Sequence, residues 1–220
     1  KQMLTKNTLN LLKSNETVLL NEIISSDLVL FGDDHNTNSG RVWLKNLIPQ
    51  ISDNFQNFGL EYMPSLDEEF RNNKDLLRKY LVENYKDFLG LNPDSVIDIV
   101  NQCETNKMEV FGIDMPPDYF DDWQNQQNQR ERIKFMTKVV MDHLAQGNTL
   151  ALFGGDHVET RDDNVYGFIK RDSPDIQMLS IIFIGGKSWS TDTEDYWIRK
   201  LELLAIELGV QDTFFILKNL

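Results

Sequence analysis

The stretch LVLFGDDHNTNSG, residues 28–40, runs from four apolar residues into a glycine, two adjacent carboxylates and a histidine. The chain has only three histidines among its 220 residues. A second stretch, TLALFGGDHVETRD at 149–162, repeats the order of apolar run, glycine, carboxylate and histidine. Both apolar runs are too short for a helix and stop at glycine, as strands buried on both faces do.

Four more runs of the same kind follow this reading: FGLEYM (58–63), EVFGID (109–114), MLSIIFIGG (178–186) and TFFILK (213–218). Between them lie segments with helical spacing. In 40–54, Val42, Leu44, Leu47, Ile48 and Ile51 return every three or four residues; in 130–146, Ile133, Met136, Val140, His143 and Leu144 do so. Trp197, Leu201, Leu204 and Leu208 predict a helix over 193–208, and 8–25 and 66–106 also read as helical, the latter in pieces broken near Gly90 and Pro93. Strands alternating with helices predict an α/β fold with a mostly parallel central β-sheet covered by helices on both faces. With no internal repeat and no linker, residues 1–220 are expected to form one such domain.

An apolar content of 40% supports a sizeable core, and no run reaches the roughly 18 apolar residues of a membrane span. A net charge of −13 disfavours nucleic acid and anionic membrane surfaces as partners. The single Cys103 excludes an internal disulfide and a metal-binding cysteine pair. A reducing, cytoplasmic location is therefore expected. The opening KQMLTKNTLNLLK has no signal-peptide core and reads as the start of an excised piece, which leaves a domain of a secreted effector as the alternative.

In a parallel α/β sheet, ligands bind outside the carboxyl ends of the strands. Those positions hold Asp33, Asp34 and His35, then Glu61, then Asp114, and last Asp156 and His157. Each aspartate has a plain reading as a helix cap or turn residue. Glu61 is different, because a carboxylate set among apolar neighbours must be paired or functional. His35 and His157 each end an apolar strand, so two of the three histidines would meet at one edge. His143 falls on the apolar stripe of its helix and reads as a boundary histidine satisfied in the core. FIGGKSWS is no phosphate-binding loop: the position five before Gly186 is Ile181, where that motif needs glycine. The Asn15-Glu16-Thr17 sequon carries no information in a chain without a secretion signal.

Taken together, these residues resemble the superfamily of ChaN-like haem-uptake proteins, erythromycin esterases and Tiki-type proteases, which is similar in turn to the Ras-cleaving endopeptidase domain of large bacterial toxins. The shared pattern is a strand ending in Gly-Glu-x-His, a second strand ending in Glu, and a late strand ending in a Gly-x-x-His-like turn. Here it reads Gly32-Asp33-Asp34-His35, Glu61 and Gly154-Gly155-Asp156-His157, with Arg132-Ile-Lys-Phe-Met136 matching the Arg-x-x-x-Met of the preceding helix. Asp33 stands where the family has Glu, and Tyr166-Gly167-Phe168 where ChaN-like proteins have Gly-Val-Pro. The chain is also too short for a macrolide pocket.

The resemblance and the residues together imply a hydrolase of an ester or amide (peptide) bond with His35, Glu61, His157 and Asp33 as candidate catalytic residues. In this scheme a histidine takes a proton from water. Asp33 fixes the tautomer or orientation of His35, Glu61 serves as a second proton carrier or raises the basicity of a histidine, and His157 stabilises the oxyanion or protonates the leaving group. Asp114 and Arg132 are the candidate substrate-binding residues, Arg132 either pairing with Glu61 or holding a substrate carboxylate. The partner would be a small-molecule or peptide substrate. The cofactor stays open between none, a divalent metal on two histidines and a carboxylate, and haem. The haem reading makes the chain a binding protein with Tyr62, Tyr119 or Tyr166 as axial ligand.

Overall fold

The computed structural model describes residues 16–33, 38–64, 68–85, 92–116, 126–158, 162–185 and 213–218. Six strands, β1 (Leu28–Asp33), β2 (Asn57–Pro64), β3 (Glu109–Asp114), β4 (Thr149–Gly154), β5 (Met178–Gly185) and β6 (Thr213–Lys218), form one sheet in the order β3-β2-β4-β1-β5-β6. Every neighbouring pair is parallel. Each strand coincides with an apolar run of the sequence, because continuous Val, Leu, Ile and Phe suit positions covered from both sides.

The helices are α1 (Glu16–Ser25), α2 (Ser39–Ile51), α3 (Glu68–Asn72), α4 (Lys74–Tyr85), α5 (Pro93–Thr105), α6 (Gln126–Leu144), α7 (Gly155–Val158) and α8 (Val165–Asp172). The helix expected over 193–208 lies outside the described residues. Pro93 starts a helix rather than interrupting one: it is the first residue of α5, where its missing N–H is not needed, and the Asn92 side chain accepts from the Asp94 N–H at 3.0 Å.

Alternate strand residues feed two cores, as the period of two requires. Val29 and Phe31 join Ile23 of α1, Leu44 and Ile48 of α2, Leu77 of α4 and Val96 of α5 on one face. Leu28 and Leu30 join Met136 and Val140 of α6, Val158 of α7 and Val165 of α8 on the other. The chain thus leaves β1 and β2 for the first face but leaves β4, which lies between them, for the second. That reversal is a topological switch point, and it is at the carboxyl ends beside such a point that α/β proteins place their sites. Packing there is tight: a Cβ on Gly32 would sit 2.5 Å from Val158 Cγ2 and 3.0 Å from Gly155 Cα.

β2 breaks register at this edge. Between the paired rungs Leu60–Gly112 and Pro64–Asp114, β2 carries residues 61–63 against Ile113 alone on β3. Such a bulge bends a strand and re-aims its side chains. Gly112 makes room for it, since a Cβ there would lie 2.3 Å from the Pro64 carbonyl oxygen and 2.4 Å from that of Met63. Replacing Gly112 with alanine is therefore expected to destabilise the fold by about 1–3 kcal/mol through overpacking. A urea midpoint unchanged in Gly112→Ala would show that the bulge tolerates a side chain.

Candidate active site

At the bulge the strand turns Glu61 toward α6 and α7, while its neighbour Tyr62 packs in the core on the opposite face. Glu61 is 4% exposed. Its Oε2 accepts the Gly154 N–H at 2.6 Å, and its Oε1 lies 2.7 Å from Arg132 Nη2 and 3.2 Å from His157 Nε2. Arg132 in turn grips Asp114 with two parallel bonds, Nε to Oδ1 at 2.7 Å and Nη2 to Oδ2 at 2.8 Å. The Met115 N–H also donates to Asp114 Oδ1 at 2.8 Å. Arg132 Nη1 stands 3.4 Å from His157 Nε2. Residues from β2, β3, β4, α6 and α7 thus meet in one cluster at the carboxyl edge of the sheet.

The electrostatics follow from this geometry. Burial pushes the Glu61 carboxyl up, but the charge and hydrogen bond of His157, then Arg132 and the Gly154 N–H, outweigh it and hold it well below the carboxylate range. Burial pulls the His157 imidazole down, yet the charge and hydrogen bond of Glu61 raise it above its ordinary value. Asp114 is raised, by burial first and by the neighbouring Glu61 charge, against the pull of Arg132.

Asp33 belongs to a second cluster on the other face of the sheet. Its carboxylate pairs with Arg41 of α2 and accepts the Tyr62 hydroxyl at 2.8 Å. Arg41 is fully buried and also donates from Nε to Ser95 Oγ at 2.9 Å and from Nη2 to Asn38 Oδ1 at 2.6 Å. The expected stripe of α2 is displaced accordingly: Val42 is 51% exposed, and Arg41 takes the buried place in line with Leu44 and Ile48. A signal for Arg41 was present in the sequence, since it is spaced three and seven residues from those two leucine and isoleucine positions.

Of the residues singled out in the sequence, Glu61, Asp114, Arg132 and His157 come together, Asp33 stands apart from them, and Asp34 and His35 lie outside the described residues. Arg132 takes up its expected pairing with Glu61 and adds Asp114. His143 has the quiet role expected of it: its Nδ1 is 2.9 Å from the Val139 carbonyl, and its ring stacks on Phe111 with centroids 3.5 Å apart. Tyr62, 1% exposed and bound to Asp33, is closed to a haem iron; Tyr166 is half-buried on α8, and Tyr119 lies outside the described residues. Tyr85, which ends α4, packs edge-on to Tyr62 at 5.3 Å and was not anticipated.

Among the described residues no group of three or more His, Cys, Asp or Glu side chains is arranged for a metal ion. The Glu61 and Asp114 carboxylates are engaged by Arg132, His157 and backbone N–H groups. Cys103 is fully buried in α5, and burial pushes its thiol up, which leaves it unreactive.

The sequence matches no family model and no curated protein. The structure is similar to that of the type III effector HopBA1, at 15% identity over 78% of this chain and 83% of that one, with a TM-score of 0.58. It is also similar to the C-terminal region of Pasteurella multocida toxin, described as having a thiol-protease-like catalytic triad, at 7% identity over 83% of this chain and 26% of that one, with a TM-score of 0.59. A third likeness, at 13% identity and a TM-score of 0.51, is to RRSP, a MARTX toxin effector domain from Vibrio vulnificus, over 80% of this chain and 37% of that one.

Stability should depend on pH through the Glu61–His157 pair, with opposite signs at its two ends. The lowered Glu61 contributes stability that is present above its unfolded value near 4.5 and is lost as pH falls through the folded value. The raised His157 contributes stability that is present below its unfolded value near 6.5 and is lost as pH rises through the folded value. His157→Gln is expected to remove the alkaline decline, read as urea midpoints from pH 5 to 9; a decline of wild-type size in that variant would mean the pair is not its source.

The low identities make these likenesses ones of fold alone: the chain shares a parallel α/β fold with domains of bacterial effectors and toxins.

Proposed function

We propose that this chain is a hydrolase of an ester or amide bond, in the first place a peptide bond, acting as an effector or toxin domain. The observation that carries this reading is the Glu61–His157 pair, 3.2 Å apart at the carboxyl edge of the sheet and locked by Arg132 and the Gly154 N–H. A carboxylate and an imidazole buried together, with the imidazole raised, make a proton donor that is charged closer to neutral pH than a free histidine. The fold shared with toxin and effector domains supports the effector part.

In the proposed reaction a water attacks the substrate carbonyl and loses its proton to His35, the base taken from the sequence pattern. The His157 imidazolium donates to the developing oxyanion and then gives its proton to the leaving amine or alcohol as the carbonyl–heteroatom bond breaks. Glu61 holds the imidazolium in place. Arg132, oriented by Asp114, is assigned to the substrate side of the cluster. A thiol route is not available to this chain, because its one cysteine is the buried Cys103. Dialysis against chelator separates this metal-free route, which keeps its activity, from one in which His35, Glu61 and His157 hold a divalent metal, which loses it.

The test is cleavage of a proteome-derived peptide mixture, read by mass spectrometry, and of p-nitrophenyl acetate, read by absorbance. His157→Asn should lower kcat by roughly 10²–10⁴-fold. With His157 as the acid, activity declines as pH rises through its raised pKa, and Glu61→Gln should move that decline to lower pH. Turnover of neither substrate above the His157→Asn background would sink the hydrolase reading.

A further inference from the structure

The bulge leaves the most exacting residue of the site on the least supported part of its strand. β2 pairs with β4 only as far as Leu60–Leu152, and its pairing with β3 resumes only at Pro64. Glu61, Tyr62 and Met63 therefore lack the ladder that holds the rest of the strand. On the α6 side, Glu61 is fixed by the groups it is meant to serve. On the opposite side the stretch is held by the Tyr62 hydroxyl, which donates to Asp33 Oδ2 at 2.8 Å, and by the Tyr62 ring against Tyr85.

Asp33 is itself anchored. Its partner Arg41 is fully buried and is bound as well to Ser95 of α5 and to Asn38 at the start of α2. A buried ion pair of this kind gives no more stability than well-packed apolar residues of the same volume. What it supplies is a fixed point: one carboxylate oxygen held from β1, with its position set by two helices. Tyr62 transmits that point to β2, one residue from Glu61.

We propose that Asp33, Arg41 and Tyr62 are positioning residues for the Glu61–His157 pair, pinning the bulged stretch of β2 from the far face of the sheet so that Glu61 meets His157. The inference rests on reading that pair as the reacting one. It gives Asp33, expected from the sequence beside the reaction, a role exerted through Tyr62 and the strand. Without the Tyr62 hydroxyl, the bulge relaxes and Glu61 withdraws from His157.

The test is Tyr62→Phe, which keeps the ring and its core packing and removes only the hydroxyl. The His157 imidazole is titrated by NMR in the wild type and the variant. The groups facing that ring are Glu61 from β2, Arg132 from α6 and Asp114 from β3, so withdrawal of Glu61 must lower its pKa, by about 0.5 unit or more. Tyr80→Phe, a hydroxyl lost from the same aromatic cluster, should leave His157 at its wild-type value. In the peptide assay Tyr62→Phe should lower kcat roughly ten- to a hundredfold with KM unchanged. An unchanged His157 pKa in Tyr62→Phe, or an equal fall in Tyr80→Phe, overturns the proposal. Because the titration needs no substrate, it judges the positioning role even if no bond is found to be cleaved.

Discussion

A carboxylate taken out of water must be met by positive charge and hydrogen-bond donors, or it protonates. Glu61 meets that demand from three directions at once: a guanidinium from α6, an imidazole from α7 and a backbone N–H from the end of β4. None of these is near it in sequence. They become neighbours because the sheet is parallel and because β4 is inserted between β1 and β2 with its exit on the opposite side. The fold and the charge cluster are thus tied to each other: a different strand order would leave Glu61 buried and unanswered.

Charge balance within the cluster explains why it holds together. Two carboxylates, Glu61 and Asp114, share Arg132, and the second positive charge comes from His157 when it is protonated. Bidentate pairing with Asp114 fixes the plane of the guanidinium. Glu61 then receives a single bond from it at Oε1, which it shares with the imidazole, while Oε2 takes the Gly154 N–H. Protonation of His157 therefore changes the net charge of the cluster.

Much of this was legible in the chain itself. The six apolar runs mark the six strands because continuous burial leaves a compositional trace, and Glu61 stood out as a charge inside such a run. His157 and Arg132 were found by pattern. Two things were not legible. The separation of Asp33 from the Glu61 cluster depends on strand parity, since side chains at 29, 31 and 33 point to one face and Glu61 to the other, and parity has meaning only once strand order is known. The bulge is written in Gly112 of β3, a residue whose need for a missing side chain arises from β2, far from it in sequence. Arg41 is an intermediate case: its spacing from Leu44 and Ile48 puts it on the apolar stripe, but a charged residue there reads as an exception until its partner is placed.

The burial of the lone cysteine has a bearing on where such a domain can work. With Cys103 sealed in the core beneath α5 and its thiol kept protonated, the folded chain has no accessible sulfhydryl to oxidise and no disulfide to reduce. This stretch of polypeptide is accordingly indifferent to redox poise. Folding and unfolding of this stretch therefore proceed without a disulfide to form or break.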